Sequence, residues 1–265
     1  MIKGTGIHLL FLKERKIVWR EGTDMEAEFQ PVGDQAMCVK LGSVISLENN
    51  RHVQSLMHAM EKRPVEGVCE MVPTYCSLMI HYRPEQIRYE ALKEAVKTRL
   101  DAEEIVQTAE RRVKFIPICY EEEFGPDLQS CAALEKISVE ELIRRHLSYP
   151  YYTYMLGFAP GHAYMSRFEE PFHFKRRDTP RVKIPAGSVV AMEYLSNLIP
   201  FEQPCGWNIL GQVPVTICDY QKEDPFLVHA GEWVRFERVG RKDFDRIKAL
   251  EQEGRYQVRV EVEHE

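Results

Sequence analysis

Gln35–Leu41 holds a short apolar run, Ala36–Val39, and ends at Gly42, which predicts a short strand. Ser46 then precedes Leu47, Val53, Leu56, Met57 and Met60 at helical spacing. That predicts an amphipathic helix over 47–62 with Ser46 as its N-cap. Two apolar runs, Gly67–Pro73 and Ser77–Tyr82, are separated by Thr74-Tyr75-Cys76 and read as strands; Arg83-Pro84 ends the second. From Glu85 to Thr108 the chain is charged, with Ile87, Leu92, Ala95, Val96, Leu100 and Ile105 along one helical face. Arg112–Cys119 is a further strand. The order strand, helix, strand, strand, helix, strand is that of a ferredoxin-like split βαβ unit, placed at 31–120. Residues 1–30 form an N-terminal extension with strand-like pieces at Ile7–Leu12 and Lys16–Trp19.

The pattern changes after residue 120. Pro126–Leu134 and Ser138–Ser148 read as helices, and Ser138 with Glu141 makes a capping box. From Tyr151 to Val239 short β runs are broken by Pro and Gly: Val182–Ile184, Ser188–Met192, Asn208–Ile209, Val213–Cys218 and Glu232–Glu237. Such spacing predicts a small barrel or sandwich. A helix at Lys242–Glu251 and an alternating strand at Arg255–Val262 close a second domain over 121–265. The fold class is therefore α+β.

Composition narrows the function. The chain has 265 residues, 44% hydrophobic and 29% charged, so it can bury a core without staples. A net charge of −6 disfavours a general nucleic-acid binder. No apolar run approaches a membrane span and the first residues lack a signal peptide, so a cytoplasmic protein is expected. Seven cysteines with no Cys-x-x-Cys favour packing roles over a disulfide framework or a zinc ribbon, and no metal site is expected.

Two segments carry candidate chemistry. Phe174–Lys183 packs Lys175, Arg176, Arg177, Arg181 and Lys183 around one acid, Asp178. It is either an anion site for carboxylate or phosphate, or a solvated or partner-facing loop. Met155–Tyr164 sets two glycines and a proline among aromatics, with His162 near its end as a candidate acid or base. The alternative for His162 is a satisfied hydrogen-bonding residue. Turn sequences Pro185–Ser188 and Pro204–Trp207 flank strands; Cys205 has no visible base to make it a nucleophile. Walker A, Gly-x-Ser-x-Gly, His-Glu-x-x-His and dinucleotide fingerprints are missing.

Seven blocks in order resemble one family. They are Gly33–Ala36, Val72-Pro-Thr-Tyr-Cys-Ser-Leu78, Ile116–Asp127, Tyr154-Met-Leu-Gly-Phe-Ala-Pro-Gly161, Thr179–Val189, Pro204-Cys-Gly-Trp-Asn-Ile-Leu-Gly211 and Gly231–Phe236. Together they resemble the family of the B subunit of bacterial 5-oxoprolinase, allophanate hydrolase subunit 1 and the KipI sensor-kinase inhibitor, over about residues 31–258. The resemblance implies a cyclophilin-like β-barrel for the second domain. It implies a second cyclophilin-like subunit as partner and a third, deacetylase-like subunit in 5-oxoprolinase. It implies ATP as the co-substrate for opening the lactam of 5-oxoproline, with the ATP site on this chain or at a partner interface. Arg181 and Lys183 match the family's basic pair and are expected to bind a carboxylate or phosphate. Ser188, Glu193 and His162 are expected to line the same pocket, with His162 catalytic. Two alternatives accompany the enzyme reading: a non-catalytic inhibitor of a sensor histidine kinase, and a divergent carboxyl-transfer or amide-hydrolysis subunit.

The sequence also departs from the family. After Gly161 it reads His162-Ala-Tyr-Met-Ser-Arg167, where the family usually continues with Phe and ends in glycines. Glu193-Tyr-Leu-Ser-Asn-Leu-Ile-Pro200 stands where a Gly-Gly-Gln-Thr-Gly stretch is usual. Added side chains narrow any site that depends on close backbone approach.

Overall fold

A strand that begins seven residues before the first one predicted sets the edge of the first sheet. The computed structural model describes residues 27–102, 110–166 and 170–264, so the strand-like pieces at Ile7–Leu12 and Lys16–Trp19 lie outside the described residues. β1 (Glu28–Val32) pairs antiparallel with β2 (Ala36–Lys40) across a turn at Gly33, whose φ is +60°. β1 carries Pro31, which suits an edge strand because proline gives no ladder N–H. α1 (Leu47–Lys62) starts where expected: the Ser46 hydroxyl accepts from the Asn49 N–H at 3.0 Å. β3 (Val68–Pro73), β4 (Ser77–Tyr82) and α2 (Tyr89–Ala102) follow. α2 begins later than the charged run suggested, because Pro84–Gln86 form a turn. The sheet order is β1-β2-β4-β3, with α1 and α2 packed on a core of Met37, Val39, Leu56, Leu78, Ile80 and Leu92.

The last strand expected for this unit does not join it. β5 (Glu110–Ile118) runs in the second sheet instead, and β1 takes the edge place beside β2. The cause is pairing competition. Every position from Val113 to Ile118 is buried, as suits a strand covered on both faces rather than an edge.

The second sheet gathers its strands from across the chain. After α3 (Leu128–Glu135) and α4 (Val139–Leu147) come β6 (Tyr151–Leu156), β7 (Ala163–Ser166), β8 (Arg181–Ile184), β9 (Ser188–Met192) and β10 (Leu195–Leu198). β11 (Gln203–Cys205), β12 (Asn208–Gln212), β13 (Trp233–Arg238), α5 (Arg241–Gln252) and β14 (Arg259–His264) complete the order. Eight strands lie in the order β12-β9-β10-β7-β6-β13-β5-β14, and β8 pairs separately with β11. Cys119, just past β5, exchanges two backbone hydrogen bonds with Gln212 of β12, at 2.9 and 3.0 Å. The sheet therefore curls until its first strand meets its seventh. Ile116, Ile118, Met165, Val189, Leu198 and Leu210 fill its interior with Leu142 and Ile143 of α4.

Val213–Cys218, expected as a strand, is not one. Pro214 removes a ladder donor, and only Cys218 bridges, to Phe226. Its apolar residues are still buried, so the pattern reported burial rather than pairing.

The two sheets meet through polar and aromatic contacts. Asn50 of α1 is fully buried, donates to the carbonyls of Thr74, Tyr75 and Tyr154, and accepts from the Tyr152 hydroxyl at 2.9 Å. Tyr75 packs on Tyr154 with ring centroids 5.2 Å apart, and Tyr154 packs on Tyr152. The Val72–Leu78 block thus reaches out of the first unit into the second.

Candidate functional site

The β6–β7 hairpin carries the loop 157–162. The Gly157 N–H donates to the His162 carbonyl and the His162 N–H to the Ala159 carbonyl, which folds the loop tightly. Gly161 has φ +77°, and a Cβ there would lie 2.9 Å from the Cys218 Cβ, so only glycine fits. Phe158 has φ +68° without being glycine, and the residue is 74% exposed. A bulky residue held in the left-handed region is strained, and such strain concentrates at binding and switching sites.

His162 is 6% exposed. Register explains its neighbour: Asn197 of β10 lies opposite Tyr164, one residue pair from Ala163. Asn197 Nδ2 sits 2.9 Å from His162 Nε2, and Gln203 Nε2 sits 3.0 Å from Nδ1. A neutral imidazole has one N–H and one lone pair, so it needs one amide nitrogen and one amide oxygen. Asn197 Oδ1 is buried with no other partner, and turning that amide over supplies the oxygen. Burial lowers the His162 pKa to about 4. The ring stacks on Tyr164 at 4.9 Å and 19°, and meets Phe158 edge-on. Tyr164 in turn meets Tyr75 edge-on at 6.4 Å. The arrangement holds a neutral imidazole under an exposed aromatic, at the seam of the two units.

The basic loop is organised by a residue that the sequence did not single out. Asp127, before α3, is 3% exposed and caps nothing with its side chain. Its carboxylate accepts both Arg181 Nη atoms at 2.8 Å, Arg177 Nη1 at 2.9 Å and the Ile209 N–H at 2.8 Å. The Asp127 hydrogen bonds raise the Arg181 pKa. Lys183 points elsewhere, 66% exposed and 2.7 Å from Glu202. The expected basic pair is therefore split, and each member has an acid of its own. Ser188 is buried and donates to the Pro185 carbonyl at 2.7 Å, closing the turn before β9. Glu193 turns β9 into β10 with φ +50°, and its backbone bonds Phe172 and Phe174. Of the five expected site residues, His162 lies beneath the aromatic loop; Arg181, Lys183, Ser188 and Glu193 hold turns and ion pairs. Cys205 lies beside the Asp127 group, its thiol pKa raised chiefly by burial.

Residues 27–228 match the family described as carboxyltransferase domain, subdomain C and D. The chain belongs to that family. Within it, the carboxyltransferase-domain chain is 34% identical over 233 residues to the B subunit of 5-oxoprolinase from Bacillus subtilis (strain 168), spanning 83% of this chain and 96% of that one. It is 28% identical over 206 residues to the B subunit of 5-oxoprolinase from Escherichia coli O157:H7, spanning 77% and 93%. Among solved structures it resembles TTHA0988, with a TM-score of 0.70 and 29% identity over 77% of this chain and 40% of that one. It thus spans about two fifths of that longer chain. Urea carboxylase of Kluyveromyces lactis shares the fold, with a TM-score of 0.72 at 16% identity over 92% of this chain and 25% of that one. Among the described residues no helix is long and apolar enough to cross a membrane.

Proposed function

We propose that this carboxyltransferase-domain chain is a subunit of a 5-oxoprolinase-like amide hydrolase that opens a lactam at the expense of ATP. The observation that carries this reading is the 34% identity to the B. subtilis 5-oxoprolinase polypeptide over 96% of its length. The sheet that closes between Cys119 and Gln212 supports describing the second unit as a cyclophilin-like barrel. The β1-β2-β4-β3 order supports describing the first as ferredoxin-like, with β1 standing in for the last strand.

In this reading the chain works beside a second barrel subunit and a third, deacetylase-like one, in the cytoplasm. The exposed Phe158 and the Phe201–Tyr220 stack, with Tyr220 66% exposed, give a partner an aromatic surface around the His162 loop. ATP supplies the free energy that makes lactam opening favourable. The two basic residues expected to meet phosphate are already paired, Arg181 with Asp127 and Lys183 with Glu202, which favours a triphosphate site elsewhere. ATP is therefore assigned to a partner or a shared interface. His162 acts in this proposal as a neutral hydrogen-bonding group that fixes the loop beneath Phe158, and as a proton acceptor only when an amide withdraws.

The test is affinity purification of the tagged chain from its own host at low salt, followed by mass spectrometry. Recovery of a cyclophilin-like subunit is expected. Recovery of a sensor histidine kinase in its place would contradict the enzyme reading and support the inhibitor alternative.

A further inference from the structure

A cleft of about 500 Å³ lies between the β5–β14 ladder, the segment 215–227 and the end of α5, and Phe226 of its wall also lies against Gly161 of the His162 loop. Its floor comes from strand register. Arg112 and Lys114 are two residues apart on β5, and their ladder partners on β14 are Val262 and Val260. Side chains two apart in a strand share a face. Two cations and two valines therefore lie on one surface, and Phe226, Leu227 and Val258 extend its apolar part.

The cations are only partly satisfied. Lys114 is 8% exposed, with its ammonium 2.7 Å from Glu232 Oε2 and 2.7 Å from the Leu227 carbonyl. An ammonium has three donors, so one is left over beside the cleft. Arg112 reaches the same carboxylate at 3.5 Å with its side chain 62% exposed. Burial works against the charge on Glu232, but hydrogen bonds from His229 and Lys114 hold its pKa down at about 2. One carboxylate thus faces two cations, which leaves the floor one positive charge in excess. Elsewhere in the lining Lys222 pairs with Asp219, and Asp224 bonds His229, whose other ring nitrogen faces Glu232. Glu251 accepts from the Thr216 hydroxyl. That wall repels a second negative charge, so a polyphosphate does not suit the cleft.

We infer that this cleft binds an organic monocarboxylate with an apolar body, its carboxylate on Arg112 and Lys114 and its body on Val260, Val258 and Phe226. The volume falls within the usual range for small-molecule sites. The site is separate from the proposed enzyme reading and stands or falls without it.

The probes are N-acetyl-L-phenylalanine and its carboxamide, which share shape and differ in charge. Calorimetric titration of the full chain at neutral pH is expected to show saturable binding of the acid. The carboxamide is expected to bind about tenfold more weakly, because a charge-assisted contact is lost. Arg112→Gln, at an exposed side chain, is expected to weaken the acid about tenfold and leave the carboxamide unchanged. Lys62→Gln, on α1 and remote from the cleft, is expected to change neither. A flat titration with the acid, equal binding of acid and carboxamide, or an unchanged acid affinity in Arg112→Gln overturns the inference.

Discussion

At the residue scale His162 and Glu193, which begin the two stretches that depart from the expected family pattern, behave differently. His162 is accommodated: both ring nitrogens face amides, and burial holds it neutral. Its folded pKa of about 4 lies below the ordinary 6.5, so below pH 6.5 the unfolded chain takes up a proton that the folded chain does not. Stability therefore falls as pH drops from about 6.5 to about 4, by up to on the order of 3 kcal/mol. NMR titration is expected to show the His162 ring neutral at pH 5. His162→Gln is expected to flatten that part of the stability profile; an unchanged slope would place the proton uptake elsewhere. Glu193 is not accommodated in the same way, since its φ of +50° puts a side chain where glycine is at ease. Glu193→Gly is expected to raise stability by about 0.5–1 kcal/mol, the relief of left-handed strain less the added chain entropy. A fall in the denaturation midpoint would show that Glu193 makes a contact worth more than its strain.

At the element scale the basic loop is tied to the second sheet by one carboxylate. Asp127 joins the start of α3 to Arg177, to Arg181 on β8 and to the backbone of β12. Asp127→Ala leaves two guanidinium groups without their acid, and is expected to cost about 3 kcal/mol, with the larger effect on hydrogen exchange in β8 and β12. Uniform loss across both sheets would mean that Asp127 holds the whole fold rather than this corner. The density of positive charge at 174–183 was legible in the sequence, but its purpose was not. Its acid lies 54 residues before Arg181, and pairing over that distance leaves no local pattern. Strand assignment shows the same boundary between local and distant information. α1 and its Ser46 cap follow from spacing alone. β5 has the same sequence character in either sheet, so only the competition between β1 and β5 for the edge of β2 decides where it goes. β7, β10 and β11 are three or four residues long, too short to show a period.

At the scale of the whole molecule the seven ordered blocks fall into two groups. Gly33–Ala36 and Val72–Leu78 form turns of the first unit, and the second of these sends Tyr75 across the seam to Tyr154 and Tyr164. The other blocks form β5, the aromatic loop, the turn before β9 and the strands β12 and β13. The resemblance was legible because turns and tight packing fix glycine, proline and aromatic identities that periodicity does not. The side-chain partners of Arg181, Lys183 and His162 were not, because each lies on another strand or loop. Buried Asn50 and the Tyr75–Tyr154–Tyr152 series lock the two units together, so the His162 loop reaches any partner as part of one scaffold.

The proposed role of the chain in a lactam-opening assembly is decided by a reconstituted assay. The assembly recovered with this chain is supplied with ATP and 5-oxoproline, and release of ADP and glutamate is followed with the chain present and with it depleted. The expected result is 5-oxoproline-dependent ADP release that disappears on depletion and returns when the purified chain is added back. Turnover that is indifferent to the chain, or an assembly inert toward 5-oxoproline with all its subunits present, would contradict the assignment.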